Sequence, residues 1–223
     1  MKVDRLLSAI EDGELYFATA NQFDDPFEGA VAVMAPDHSE DPRHAEYDFA
    51  EVAFRELKRL TKINCWHCAL HETTAMWDLY ADQGKGVAVC STPDRLSAAL
   101  APYRIDPEYS IEPLHGGLVR YVDLTTTRLQ PADLERFYYK HRTFSWEQEF
   151  RLTISLRLAE EFGVRVPEDG ILVSFDPSVA FDRIVLGPKL SNDDQDAIRT
   201  TVDSLRLPTI VARSEMLGRP RYV

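Results

Sequence analysis

The stretch from Glu147 to Leu156 constrains the fold most. Phe150, Leu152, Ile154 and Leu156 fall on one face of an extended chain, and Glu147, Glu149, Arg151, Thr153 and Ser155 fall on the other. A period of two belongs to a strand, and a strand needs partners. The rest of the chain offers them as short runs at 14–19, 63–68, 86–91, 118–122, 171–175, 183–186 and 208–212. Helical patterns fall between these runs. Leu6, Leu7 and Ile10 share a face in a helix from Val3 to Asp12, and Gly13 ends it. Asp41-Pro42 is an N-cap followed by proline, opening a helix to about Thr61 with Val52, Leu57 and Leu60 spaced for burial. Residues 73–81, 93–100 and 131–142 read as further helices, and Ser191 caps a last one reaching about Leu205. The stretch 34–44 reads as a polar surface excursion, and 102–117 as loop. The elements keep no regular strand–helix period, no repeat is visible and no linker divides the chain. The expectation is one α+β domain over residues 1–223, with a mixed or mostly antiparallel sheet and flanking helices.

Charge and composition narrow the function classes. The 223 residues carry 37 acids against 25 bases, a net charge of −12, which repels phosphate backbones and argues against non-specific nucleic-acid binding. No apolar run reaches the roughly 18 residues of a membrane span, and the opening Met1-Lys2-Val3-Asp4-Arg5-Leu6 has no apolar signal core. The three cysteines, Cys65, Cys68 and Cys90, are an odd count that suits a reducing compartment, so a cytoplasmic location is expected. There is no G-x-G-x-x-G, no G-x-x-x-x-G-K-[ST] and no G-x-S-x-G, which argues against a dinucleotide Rossmann domain, a P-loop NTPase and an α/β-hydrolase.

Five clusters carry candidate chemistry. Cys65-Trp66-His67-Cys68-Ala69-Leu70-His71 has zinc-like spacing, but on a strand Cys65 and Cys68 point to opposite faces and no fourth ligand is near, so no metal is expected. Glu72 to Tyr80 places Met76, Trp77 and Tyr80 together on a helix: either a stripe packed on the sheet, or an aromatic wall that stacks a planar ligand. Glu147, Glu149 and Arg151 sit two apart on one strand face. They are either a half-solvated ion pair or a carboxylate positioned to orient a sugar hydroxyl and stabilise developing positive charge. Asp24-Asp25-Pro26-Phe27-Glu28 is a turn with solvated acids, or a loop closing over a ligand or a weak divalent ion. Lys140, His141 and Arg142 suit a helix C-terminus or a phosphate.

Taken in order, several segments resemble a bacterial family known as domain of unknown function 2971. They are Gly13-Glu14-Leu15-Tyr16-Phe17, Phe23-Asp24-Asp25-Pro26-Phe27-Glu28, Asn64-Cys65-Trp66-His67, Glu72 through Tyr80, Gly86-Val87-Ala88-Val89, and Lys140 through Arg151. The usual Asn-Asp-Pro-Phe-Glu appears here with Asp24 first, and the early strand common in the family has no counterpart before the first helix. The layout of that family is similar to ADP-ribosyltransferase-like domains, which split the glycosidic bond of NAD. The resemblance implies Glu149 as the catalytic carboxylate with Glu147 and Arg151 beside it. It also implies a pocket lined by Trp66, His67, Trp77, Tyr80, Asp25 and Glu28. NAD would be the small-molecule nucleotide and a macromolecule the acceptor, in a toxin or phage-defence effector. Two other readings stand beside it. One is a metal-dependent nuclease or hydrolase using Asp24, Asp25, Glu28 and Glu149. The other is a non-catalytic interaction module in which the charges are structural.

Overall fold

In a computed structural model of the chain, residues 1–33, 45–217 and 221–222 are described. The helices are α1 (Val3–Asp12), α2 (Ala45–Leu60), α3 (Thr74–Tyr80), α4 (Pro93–Ala99), α5 (Arg157–Glu161), α6 (Pro177–Ala180) and α7 (Asn192–Ser204). The strands are β1 (Glu14–Thr19), β2 (Thr61–His67), β3 (Val87–Cys90), β4 (Leu114–Leu118), β5 (Arg120–Val122), β6 (Tyr139–His141), β7 (Glu149–Ser155), β8 (Ile171–Ser174), β9 (Arg183–Leu186) and β10 (Ile210–Arg213). The fold class is α+β, with an antiparallel main sheet and flanking helices. The expected cap at Asp41 and the polar stretch 34–44 lie outside the described residues. Among those described, no helix is long and apolar enough to cross a membrane.

The chain divides into two compact units that interleave along the sequence. The first comprises Met1–Leu15, Ala69–Ala101 and Val173–Val223. Its sheet has the order β10-β9-β3, with β9 antiparallel to β3 and parallel to β10. The central strand is apolar on both sides: Ile184, Val185 and Leu186 are all buried. Trp77 and Ala81 pack against Val185. At the chain's start, Leu6 and Ile10 are the buried stripe of α1, and Gly13 ends that helix at φ +66° with its N–H on the Ala9 carbonyl. Helix α1 packs on α7, which Ser191 caps by accepting the Asp194 N–H.

The second unit, Tyr16–Cys68 with Pro102–Leu172, carries most of a five-stranded sheet ordered β4-β7-β2-β1-β8. Strand β7 runs antiparallel between β2 and β4. Its register sets Glu149 opposite His67, Arg151 between Cys65 and Gly117, and Thr153 between Ile63 and His115. Directly opposed residues point to the same side, so these side chains share one face. Phe150, Leu152 and Ile154 take the other, as the period-two pattern requires.

Four expectations change. The stretch 102–117, read as loop, ends in β4 from Leu114, and the strand read at 118–122 divides into the end of β4 and β5. The segment 131–142 is not a helix: a short 3₁₀ turn (Glu135–Tyr138) leads into β6, which pairs with β5 in parallel. Strand β7 starts at Glu149, because Arg142–Glu147 is a 3₁₀ helix ending in Gln148 at φ +44°. Helix α2 buries Leu60 but leaves Val52 exposed.

Candidate functional site

Of the two readings of the β7 polar face, one has it half-solvated; the structure buries it. Arg151 and Glu28 have no exposed side-chain surface, and Glu147, Glu149 and Lys140 are each more than nine-tenths buried. Burying charges costs several kcal/mol per ion, so each one needs a partner. The Arg151 guanidinium supplies most of them. Nη1 and Nη2 donate to the two Glu28 oxygens at 2.6 and 2.9 Å. Nε donates to Glu149 Oε2 at 2.6 Å, and Nη1 also reaches the Phe137 carbonyl at 2.7 Å. Lys140 Nζ donates to Glu149 Oε1 at 2.7 Å and also to Glu147. The Phe144 ring lies 4.7 Å below that ammonium, and the Phe23 ring lies 5.6 Å from the guanidinium carbon.

Three acids face two cations here, and Lys140 bridges two of the acids, Glu147 and Glu149. Burial would raise the Glu149 pKa. The Glu147 hydrogen bond, the Arg151 charge and the donors from Arg151 and Lys140 outweigh it and hold the carboxyl well below the usual range. Lys140 moves the other way: burial opposes its charge, and the hydrogen bonds to Glu147 and Glu149 raise its pKa nonetheless. Arg151 is raised well above its ordinary value, the Glu28 charge overcoming desolvation.

The backbone around Glu149 is fixed as well. Its N–H donates to Tyr121 Oη at 2.8 Å, and its carbonyl accepts from Val119 N at 2.9 Å. Tyr138 Oη lies 2.7 Å from Thr153 Oγ1, covering the same face. Gly117 makes room for that ring, since a Cβ there would lie 3.1 Å from Tyr138 Cε1.

Beside this network are polar atoms without partners. His67 Nδ1 is 2.5 Å from the Glu147 carbonyl, which makes it the protonated nitrogen. His67 Nε2 is buried and unpaired. Asp25 Oδ1 accepts the Phe27 N–H at 2.8 Å in a tight turn, while Oδ2 is buried without a donor. Asp24 stays exposed. The Asp24–Glu28 segment is therefore no solvated acidic loop: two of its three acids point inward.

The structure brings Glu28, Glu147, Glu149 and Arg151 into one network, with His67 bonded to the Glu147 backbone. Trp66 lies on the opposite face of β2, opposite Phe150, with its indole N–H on Asn64 Oδ1. Trp77 and Tyr80 belong to the first unit. Trp77 is buried in that unit's core, its indole N–H donating to Glu72 Oε2 at 2.8 Å, so its ring follows the packing reading. Glu72 also accepts from Glu215 N at 2.9 Å and from Ser214, a tie to the segment after β10. Tyr80 is half exposed.

Lys140 and Tyr121 are network residues that sequence reasoning missed. Lys140 read as a helix-end or phosphate-binding base, because 131–142 read as a helix. In β6 its side chain points inward. Arg142 pairs instead with Asp123 at 3.1 Å. Cys65 faces the Arg151 side as a free, exposed thiol. Among the described residues, no group of three or more His, Cys, Asp or Glu is placed to hold a metal ion.

Compared with protein-family models, with curated proteins and with solved structures, the chain matches none.

Proposed function

We propose that the chain is an ADP-ribosyltransferase-like enzyme of the cytoplasm that cleaves the glycosidic bond of NAD, with Glu149 as the carboxylate that faces the ribose. One observation carries the reading: Glu149 is held ionised at the first residue of the central strand, directly opposite His67. A reaction through an oxocarbenium-like ribose gains from a rigid negative charge that needs no reorganisation. In that reaction the C1′–N bond breaks and nicotinamide leaves with the electron pair. An acceptor nucleophile then bonds to C1′ and releases its proton to solvent. The family resemblance supports the same assignment, with a macromolecular acceptor and an effector role. The unpaired His67 Nε2 and Asp25 Oδ2 add support, since buried polar atoms without protein partners are free to bond a ligand.

A second reading rests on a different observation. Both Glu149 oxygens already hold a cation, Lys140 on one and Arg151 on the other. A carboxylate has about four lone-pair sites, and Glu147 uses a third. On this reading the network is an internal tie in a non-catalytic interaction module.

Nicotinamide release from NAD by the full chain separates the two. The enzyme reading expects turnover that Glu149→Gln abolishes and His67→Ala reduces, with circular dichroism confirming that both variants are folded. No release above buffer by the unsubstituted protein, or equal release by a folded Glu149→Gln, leaves the structural reading.

A further inference from the structure

A second feature of the β7-bearing unit lies apart from the ionic network. Glu28 faces Arg151, and the next residue, Gly29, lines a cavity of about 860 Å³. That size falls within the range of small-molecule pockets, roughly 300–1,000 Å³. The wall is apolar over most of its extent: Ala30, Val31, Ala53, Phe54, Leu57 and Leu60 supply it. Gly29 is required there. Its φ is +73°, and a Cβ would lie 2.9 Å from ring carbons of both Phe54 and Phe137.

The charged residues around the cavity are not balanced. Of its two acids, Glu56 is held by Arg59 at 2.8 Å and Asp133 by Arg157 at 2.6 Å. Arg128 and Arg136 also line it, and among the described residues neither has an ion-pair partner. Arg136 is partly buried, its guanidinium carbon lies 5.0 Å from the Phe54 ring, and its Nε is buried with no hydrogen-bond partner. Burial depresses its pKa, and the charge of Asp133, already tied to Arg157, offsets this only in part. A half-buried guanidinium with an unsatisfied Nε beside an apolar hollow stands out in a chain of net charge −12. A hydrocarbon body would fill the hollow, and an anionic head would satisfy Arg136.

We infer that this cavity binds a single-headed amphipathic anion of the fatty-acid type, its chain against Phe54, Leu57 and Leu60 and its carboxylate on Arg136. The fluorescent fatty acid dansyl-undecanoate tests this directly on the full chain. Saturable enhancement of its emission is expected, with dodecanoate displacing it at least tenfold better than dodecanol, which has the same chain without the charge. Arg136→Met, which keeps the stem and removes the donors, is expected to weaken probe binding about tenfold or more, the loss of one charge-assisted contact. Ala53→Phe, which fills the hollow, is expected to abolish binding. Absence of saturable binding to the unsubstituted protein overturns the inference. So does equal displacement by dodecanol and dodecanoate, a comparison that needs no variant to fold.

Discussion

Arg151 and Glu28 stand 123 residues apart in sequence and form a two-pronged ion pair, at 2.6 and 2.9 Å, with neither side chain exposed. The pair ties the turn after β1 to the central strand. Its other contacts run to Glu149 and to the Phe137 carbonyl, so the guanidinium joins three separate segments of one unit.

Breaking a buried pair from one side leaves a charge without a partner. Arg151→Met is therefore expected to destabilise the protein by about 3–5 kcal/mol. Adding Glu28→Leu to that variant is expected to recover part of the loss, because the stranded carboxylate is gone as well. Urea denaturation of the single and double variants measures both. A single variant within about 1 kcal/mol of the parent would show that water reaches the pair.

The Glu149 carboxyl gives the acid side of the pH profile. Its folded pKa lies below the ordinary 4.5, so the unfolded chain takes up the proton first. Stability from this group is complete above pH 4.5 and declines as the pH falls below it towards the folded value. Urea midpoints taken from pH 7 down to pH 3 are expected to drop, and to drop less steeply in Glu149→Gln. Parallel profiles for the two proteins would contradict the assignment.

Lys62 governs the alkaline side. It is fully buried in β2, and its Nζ donates to the carbonyls of Arg59, Pro167 and Asp169 at 3.0, 2.9 and 2.6 Å. Burial pushes its pKa down to about 8, against 10.5 in the open chain. Between these values the unfolded state holds the extra proton, so this group's contribution to stability rises with pH from about 8 to 10.5. Lys62→Met is expected to remove that rise and to free the 167–169 carbonyls, which limited proteolysis of that segment would detect.

In the first unit, Glu72 holds the Trp77 indole, the Ser214 hydroxyl and the Glu215 amide. Burial opposes its charge, and these hydrogen bonds still lower its pKa. Glu72→Ala is expected to cost about 1–3 kcal/mol, since hydrogen bonds to a charged group are the stronger kind. The Trp77 emission should shift as its N–H loses its acceptor. Unchanged emission and stability together would mean that the tie to the segment after β10 is idle.

Several of these features were legible without coordinates. The Leu6–Ile10 stripe, the Gly13 stop and the Ser191 cap depend on neighbours within about four residues, and they form as read. The helix expected over 131–142 failed for the opposite reason. Tyr139–His141 lies beside Arg120–Val122, and that pairing with a distant segment overrides the local preference.

The polar side of β7 marks the boundary between the two kinds of knowledge. The order of residues was enough to put Glu149 and Arg151 together and to set them against Phe150 and Leu152. Alternating charges look the same in a sequence whether water or opposite charge neutralises them. Glu28 from the turn after β1 and Lys140 from β6 supply that opposite charge, and they reach Arg151 and Glu149 only once the chain has closed on itself. Burial of the network is therefore a property of long-range contacts, which no local period encodes.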